Sequence, residues 1–187
     1  MHPDTVLVIP NGFLRPICES DVTDEYVSGL NDPQVNQFLE VRHNKQTHYS
    51  VSRFIRKNRE AADMILWGIW YGNGRQKLLV GTVRLHGIDS VVPACNIGIC
   101  LFKREVWGLG LGTKSIRRVT DWVFGMHDLC SIRAEVNIAN FASQQAFLRA
   151  GYRYSHSAVI PFSVDPETAF YNVYLASRND YLMLITG

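Results

Sequence analysis

The chain of 187 residues has no run approaching the roughly 18 apolar residues that a membrane-spanning helix needs. Its four cysteines, Cys18, Cys95, Cys100 and Cys130, form no CxxC pair and no disulfide-framework spacing, which excludes a zinc ribbon or a stapled scaffold. Cys95 and Cys100 stand five apart in a strand-like run, so they should point to opposite faces. All four read as small hydrophobes in a reducing cytosol, and no metal site is expected. Charge of one sign is also missing. Nineteen basic against 17 acidic residues leave a net +2, which predicts no long-range pull on nucleic acid or on an anionic membrane. The first ten residues, MHPDTVLVIP, carry one short apolar run and no basic leader, so no signal peptide and a cytoplasmic location are expected. No internal repeat, low-complexity tract or linker interrupts the chain.

What is present is a composition with 47% hydrophobic and 19% charged residues, in a length that suits one compact domain. FLRPI (13–17) reads as an opening strand. Asp21 is the expected N-cap of a helix over VTDEYVSGL, and Asp32 with Pro33 is the expected start of another. Residues 47–62 place Val51, Phe54 and Ile55 at helical spacing. MILWGIWY (64–71) and KLLVGTVRLHGI (77–88) form a predicted hairpin around the turn GNGRQ, and CNIGICL (95–101) is a third strand of the same character. A glycine-rich stretch opens a helix over 113–126 with Ile116, Val119, Trp122 and Val123 on one side. SIRAEVNI (131–138) alternates as a strand, 141–150 is a helix closed by Gly151, and 152–162 with 168–176 supply a last strand pair. The order predicts a mixed α/β sheet.

Gly108, Gly110 and Gly112 stand at every second position between a strand and a helix. Glycine lets backbone N–H groups turn inward, and the helix start adds free N–H groups and a positive dipole end, together a phosphate or pyrophosphate site. A Walker loop needs four residues between its outer glycines and then Lys-Ser/Thr; here there are three, and Thr113 precedes Lys114. A dinucleotide fingerprint needs two residues before its last glycine, and here there is one.

WGLGLG (107–112) resembles the pyrophosphate loop of the GNAT superfamily of acyl-CoA-dependent N-acyltransferases, in the WGxGxGT form of the branch related to ribosomal-protein alanine N-acetyltransferases. NFASQQAFLRAGY (140–152) resembles the Asn-x-x-Ser helix motif of that family. FLRPICESD resembles its first strand and turn, and NDPQVNQFLE the segment after its first helix. The resemblance runs over roughly residues 13–176, in order. It implies one N-acetyltransferase domain over 1–187, with a mixed, mostly antiparallel sheet flanked by helices and splayed between its two central strands, 95–101 and 131–138.

It further implies that pantetheine lies as a pseudo-strand along Ile99, Cys100 and Leu101, the family's form of strand addition. Trp107, Gly108, Leu109, Gly110, Leu111, Gly112, Thr113 and Lys114 would bind the coenzyme, Leu109 to Thr113 holding the pyrophosphate and Lys114, Arg117 or Arg118 approaching the ribose phosphate. Asn140 would bond the pantetheine arm, with Ser143 and Phe147 on the helix beside the thiol end. Two positions depart from the family. Asn96 stands where a glutamate base is common on the central strand, and Phe147 where a tyrosine serves as acid to the thiolate. Substitute bases are His86, which titrates near neutrality, Glu40, and Glu135, with water relayed to bulk as the remaining route. Glu40, Arg42 and Asn96 are the candidate acceptor-binding residues. A Cys100 acyl-enzyme has no base tied to it by spacing.

The implied reaction is acetyl transfer from acetyl-CoA to a primary amine of a small molecule, an amino sugar or a protein N-terminus, directly within a ternary complex. The competing readings are a non-catalytic acyl-CoA sensor or scaffold of the same fold and an unrelated nucleotide binder. Expected partners are the acyl-CoA and the amine, with no nucleic acid and no membrane, in a monomer or homodimer.

Overall fold

The computed structural model describes residues 5–72, 76–89, 91–126, 128–159 and 170–186, the side chains at 40, 126, 182 and 184–186 excepted. The apolar alternations become eight strands: β1 Leu7–Ile9, β2 Gly12–Pro16, β3 Ile65–Tyr71, β4 Leu78–Asp89, β5 Ala94–Leu101, β6 Ser131–Asn137, β7 Arg153–Val159 and β8 Phe170–Ser177. They form one sheet in the order β1-β2-β3-β4-β5-β6-β8-β7. Every neighbouring pair is antiparallel except β5 and β6. Among the described residues six α-helices complete the fold, α1 Asp24–Asn31, α2 Pro33–Asn36, α3 His48–Glu60, α4 Leu111–Met126, α5 Phe141–Arg149 and α6 Arg178–Thr186, with a 3-10 turn over Glu40–His43 between α2 and α3. Among the described residues no helix is long and apolar enough to cross a membrane.

Period two divides the sheet into faces, each under its own helices. On one face Trp67, Val83, Leu85, Cys95, Ile97, Ile132, Ala134 and Val136 pack with Ile116, Val119, Trp122 and Val123 of α4 and Phe147 of α5. On the other, Leu66 and Trp70 pack with Tyr26 of α1, Val35 of α2, and Val51 and Ile55 of α3. Cys95 belongs to the first cluster and Cys100 lies against the second, the opposite facing that their spacing requires.

Several local expectations need correction. Thr23, not Asp21, caps α1, its side chain accepting from the Tyr26 N–H. Asp21 is committed elsewhere, accepting from Arg15 at 2.6 and 3.0 Å and from the Cys18 N–H at 2.8 Å. Asp32 and Pro33 open α2 as expected, and Thr47 caps α3. The inward residues of α3 are Val51, Ile55 and Asn58, whereas Phe54 is exposed. α4 starts two residues before the expected Thr113. The sequence reading missed β1, hairpinned to β2 through Asn11 at φ +60°, and α6. The turn residues 73–75 and the segment 160–169 lie outside the described residues.

The feature that positions a site is the break between β5 and β6. Their parallel ladder holds for three pairs only, Ala94–Ser131, Cys95–Ile132 and Asn96–Arg133. Beyond it β5 continues paired with β4 as far as Leu101, and β6 continues paired with β8 as far as Asn137. The two central strands have parted.

Candidate active site

The backbone of β5 shows what the gap offers. Phe102 donates its N–H to the Val80 carbonyl at 3.0 Å. Backbone groups alternate in direction along a strand, so Cys100 and Gly98 bond toward β4 while Leu101, Ile99 and Ile97 present theirs to the parted side. The Leu101 carbonyl already accepts from the Trp107 indole N–H at 3.0 Å. The Ile97 N–H closes the Asn96–Arg133 pairing, so the Ile97 carbonyl and the main-chain groups of Ile99 are those with no strand opposite them, a ready edge for a chain carrying amides. Leu101, expected among the bonding residues, has its carbonyl committed to Trp107.

The glycine loop closes the far end of this edge. Gly108 and Gly110 have φ of +77° and +71°, a left-handed conformation that a Cβ disfavours. Lys114 is the first residue of α4 to bond back, onto Gly110 at 3.0 Å. The N–H groups of Leu111, Gly112 and Thr113 thus lack carbonyl partners within the helix and sit at its positive end. Leu109 and Trp107 are exposed, and Lys114 reaches back to the Leu109 carbonyl at 3.4 Å. Loop and helix start form an anion cradle.

A cavity of about 390 Å³ opens at the gap. Ile97, Gly98, Ile99 and Cys100 form one wall, and Glu135, Val136 and Asn137 of β6 another. Asn140, Ser143 and Phe147 line it at α5, and Tyr26, Phe38, Leu39, Val41 and Phe54 line it on the side of α1 to α3. Asn140 caps α5, its Oδ1 accepting from the Ser143 N–H at 3.1 Å. Phe147 is buried against Tyr152 and Tyr174. A second cavity, of about 490 Å³, lies between β2, β3 and α3, away from the parted strands and the loop.

The structure brings Ile99, Cys100, Asn140, Ser143 and Phe147 together around the gap, with residues 107–114 at its end. The remaining expected residues are more dispersed. His86 is half-buried and paired across from Asn96, whose amide approaches the His86 carbonyl at 3.5 Å. Neither is among the residues that line the cavity. Burial, then the Arg84 cation, hold His86 below the ordinary imidazole range, against the pull of Glu135 and Asp63. Arg42 folds onto its own 3-10 turn, donating to the Leu39 carbonyl at 3.0 Å. The Glu40 side chain lies outside the described residues, although its neighbours Leu39 and Val41 line the cavity. Burial pushes the Cys100 thiol up to about 12, so at neutral pH it is no thiolate nucleophile.

The sequence reading overlooked Arg84, Gly98, Tyr26 and Thr82, all at the cavity. Period two alone was the available signal for Arg84, since it shares a strand face with His86. Glu135, a lesser candidate in sequence, lines the cavity and is ion-paired to Arg133 at 2.7 Å.

A family model for the acetyltransferase (GNAT) domain matches residues 13–153, from within β2 through β3 to β6 and the glycine loop to α5. The chain belongs to the GNAT acetyltransferase family. This GNAT protein is an acyl-CoA-dependent acetyltransferase, and acetyl-CoA is its acyl donor. Its fold is shared by solved structures of low identity. A GNAT-family acetyltransferase from Bacillus anthracis superposes with TM-score 0.76 at 16% identity, over 94% of this chain and 99% of that one. A spermidine N-acetyltransferase from Vibrio cholerae, in complex with CoA and spermine, gives 0.77 at 18% identity, over 93% and 99%. RimL, a ribosomal-protein alpha-N-acetyltransferase in complex with coenzyme A, gives 0.80 at 16% identity, over 92% and 98%. No curated protein matches the chain by sequence.

Proposed function

We propose that this GNAT domain moves the acetyl group of acetyl-CoA to a primary amine by direct attack in a ternary complex. The observation that carries this is the parting of β5 from β6 after Asn96 and Arg133, with a cavity opening at the break. The N–H groups of Leu111, Gly112 and Thr113 hold the pyrophosphate, and Lys114, with Arg117 or Arg118, answers the ribose phosphate. Ile97 and Ile99 bond the pantetheine arm, joined by the Asn140 amide, whose Nδ2 has no partner among the described residues. Ser143 and Phe147 border the thiol end. Acetyl-CoA supplies the activated acyl carbon.

The amine enters from the α1–α3 side, where the 3-10 turn carrying Glu40 and Arg42 forms the outer wall. It must be neutral when it attacks, so a group must take its proton. Glu135 is the acid–base side chain that borders the cavity: Arg133 holds Oε1, leaving Oε2 for the proton. His86 and Asn96 adjoin the same strand face and set its polarity. The amine belongs to a small molecule, an amino sugar or a protein N-terminus. Four free cysteines support a reducing, cytoplasmic setting.

A second reading, an acyl-CoA sensor without turnover, is favoured by Asn96 and Phe147 at positions where related proteins carry a proton-transfer pair. One experiment separates the two. The protein is titrated with desulfo-CoA by calorimetry, and thiol release from acetyl-CoA is followed across an amine panel. Micromolar binding with release supports the transferase; binding without release on any amine supports the sensor; absence of binding refutes both.

A further inference from the structure

Resting on the transferase reading, we infer that the acceptor amine also carries a carboxylate, which docks on Arg84. Among the described residues, Arg84 and Glu135 are the two charged side chains lining the cavity. Arg84 is half-buried on β4, and its Nε donates to Asn58 Oδ1 at 2.7 Å. Asn58 is itself 1% exposed, with its amide nitrogen on the Phe54 carbonyl at 2.8 Å. This explains a polar residue on the inward face of α3: it aims a guanidinium. The group also lies 5.5 Å from the Phe54 ring centroid, and Nη2 meets Met64 Sδ at 3.1 Å. Among the described residues no carboxylate is within ion-pairing distance of Arg84; Asp63 acts on it only at longer range. A cation taken partly out of water without a counterion is costly, and an anionic ligand removes that cost.

The register places the charges on either side of one slot. Arg84 pairs directly across from Gly98. Continuing the β5–β6 ladder beyond Asn96–Arg133 would set Gly98 opposite Glu135, where the strands have parted. A Cβ at Gly98 would meet nothing within 4 Å. The glycine is the floor of an open slot, with a cation on one side and a carboxylate on the other. An amine directed to Glu135 and an anion directed to Arg84 match that order of charge. A polyamine would set a second positive charge against Arg84.

The test uses amine pairs that differ by the carboxylate: β-alanine with n-propylamine, γ-aminobutyrate with n-butylamine, and the dipeptide Gly-Ala with its C-terminal amide, alongside spermidine. The expected kcat/KM is at least about tenfold higher for the carboxylated member, the size of one charge-assisted hydrogen bond. Arg84→Gln removes that preference through KM, the loss falling on the carboxylated member of each pair, while Arg84→Lys retains part of it. Equal use of both members, preference for spermidine, or an equal loss on both members in Arg84→Gln overturns the inference while leaving acetyl transfer intact. If thiol release fails on every amine, calorimetry of β-alanine and Gly-Ala into the desulfo-CoA complex decides: binding that Arg84→Gln weakens about tenfold sustains the inference, and binding indifferent to Arg84, or none, overturns it.

Discussion

Gly110 is where the proposed coenzyme site meets a backbone that a side chain disfavours. Its φ is +71°, and a Cβ there would touch only the Lys114 Cε, at 3.9 Å. Alanine therefore meets no steric block, and its cost is the left-handed backbone, about 1–2 kcal/mol. For a chain of this size that lowers Tm by roughly 2–8 °C, at about 2–4 °C per kcal/mol. Asparagine and aspartate tolerate that conformation better, so their fold penalties are smaller and similar. Affinity separates them. A carboxylate about 4 Å from a bound pyrophosphate is repelled by about 4 kcal/mol at an effective dielectric near 20, roughly a thousandfold in Kd. Gly110→Asn keeps the geometry without the charge and loses far less. Calorimetry with desulfo-CoA on both variants, each checked by thermal melting, reads the difference. Added salt should narrow the gap, since the loop is exposed. If Gly110→Asp binds desulfo-CoA as well as Gly110→Asn at low salt, the pyrophosphate is not held at this helix start.

Glu135→Gln should lower kcat/KM about a hundredfold or more with desulfo-CoA affinity unchanged, the loss expected for a general base; an unchanged rate across pH 6 to 9 (roughly the span where amine and base titrate) removes it from the mechanism. His86 has a depressed folded pKa, so its share of stability is complete above the unfolded value of 6.5 and is lost as pH falls toward the folded one. Melting curves of His86→Gln should accordingly show a flatter acid-side decline than the wild type, and identical slopes would contradict the assignment. Phe147→Ala empties a site that is 2% exposed and packed by Tyr152 and Tyr174, and should cost about 3–5 kcal/mol in denaturant melts.

The features legible in sequence share one property: they are set by local chemistry. The glycine spacing at 108, 110 and 112 states a backbone requirement, and the structure meets it with two positive φ values and a helix start. Thr47, Asp32 and Gly151 mark helix ends through their own hydrogen bonds or dihedrals. Asp21 misled because its carboxylate, a good cap in isolation, is taken by Arg15, an ion pair that alternation cannot foresee. β1 was hidden because Val6 and Val8 are exposed at 52% and 70%, so its apolar run lacks the polar alternation of an edge strand. Arg84 was hidden for a tertiary reason. Its partner Asn58 is 26 residues away on α3, and only the packing of α3 on β4 reveals that the pair faces a cavity.

The two departures from the family pattern become intelligible once the register is known. Asn96 is the last β5 residue in the ladder with β6, opposite Arg133, and on its other side it pairs with His86. It stands in closed sheet and does not line the cavity. Glu135 lies two residues past Arg133, on the same strand face but in the parted region, where its carboxylate borders open space. Both strands contribute to the rim of one gap, so a carboxylate on β6 faces the cavity without a partner on β5. The same geometry limits Phe147. Buried between Tyr152 and Tyr174, it shapes the apolar side of the gap and has no proton to give. Tyr174, stacked on Phe147, donates to Gln144 Oε1 at 3.0 Å, and Ser143 is the α5 hydroxyl that borders the cavity. If water entering the open cavity protonates the departing thiolate, the rate should show a solvent isotope effect that Phe147→Tyr diminishes. An isotope effect unchanged in that variant would place the thiolate out of reach of α5 and shift the thiol end along β5, away from Phe147.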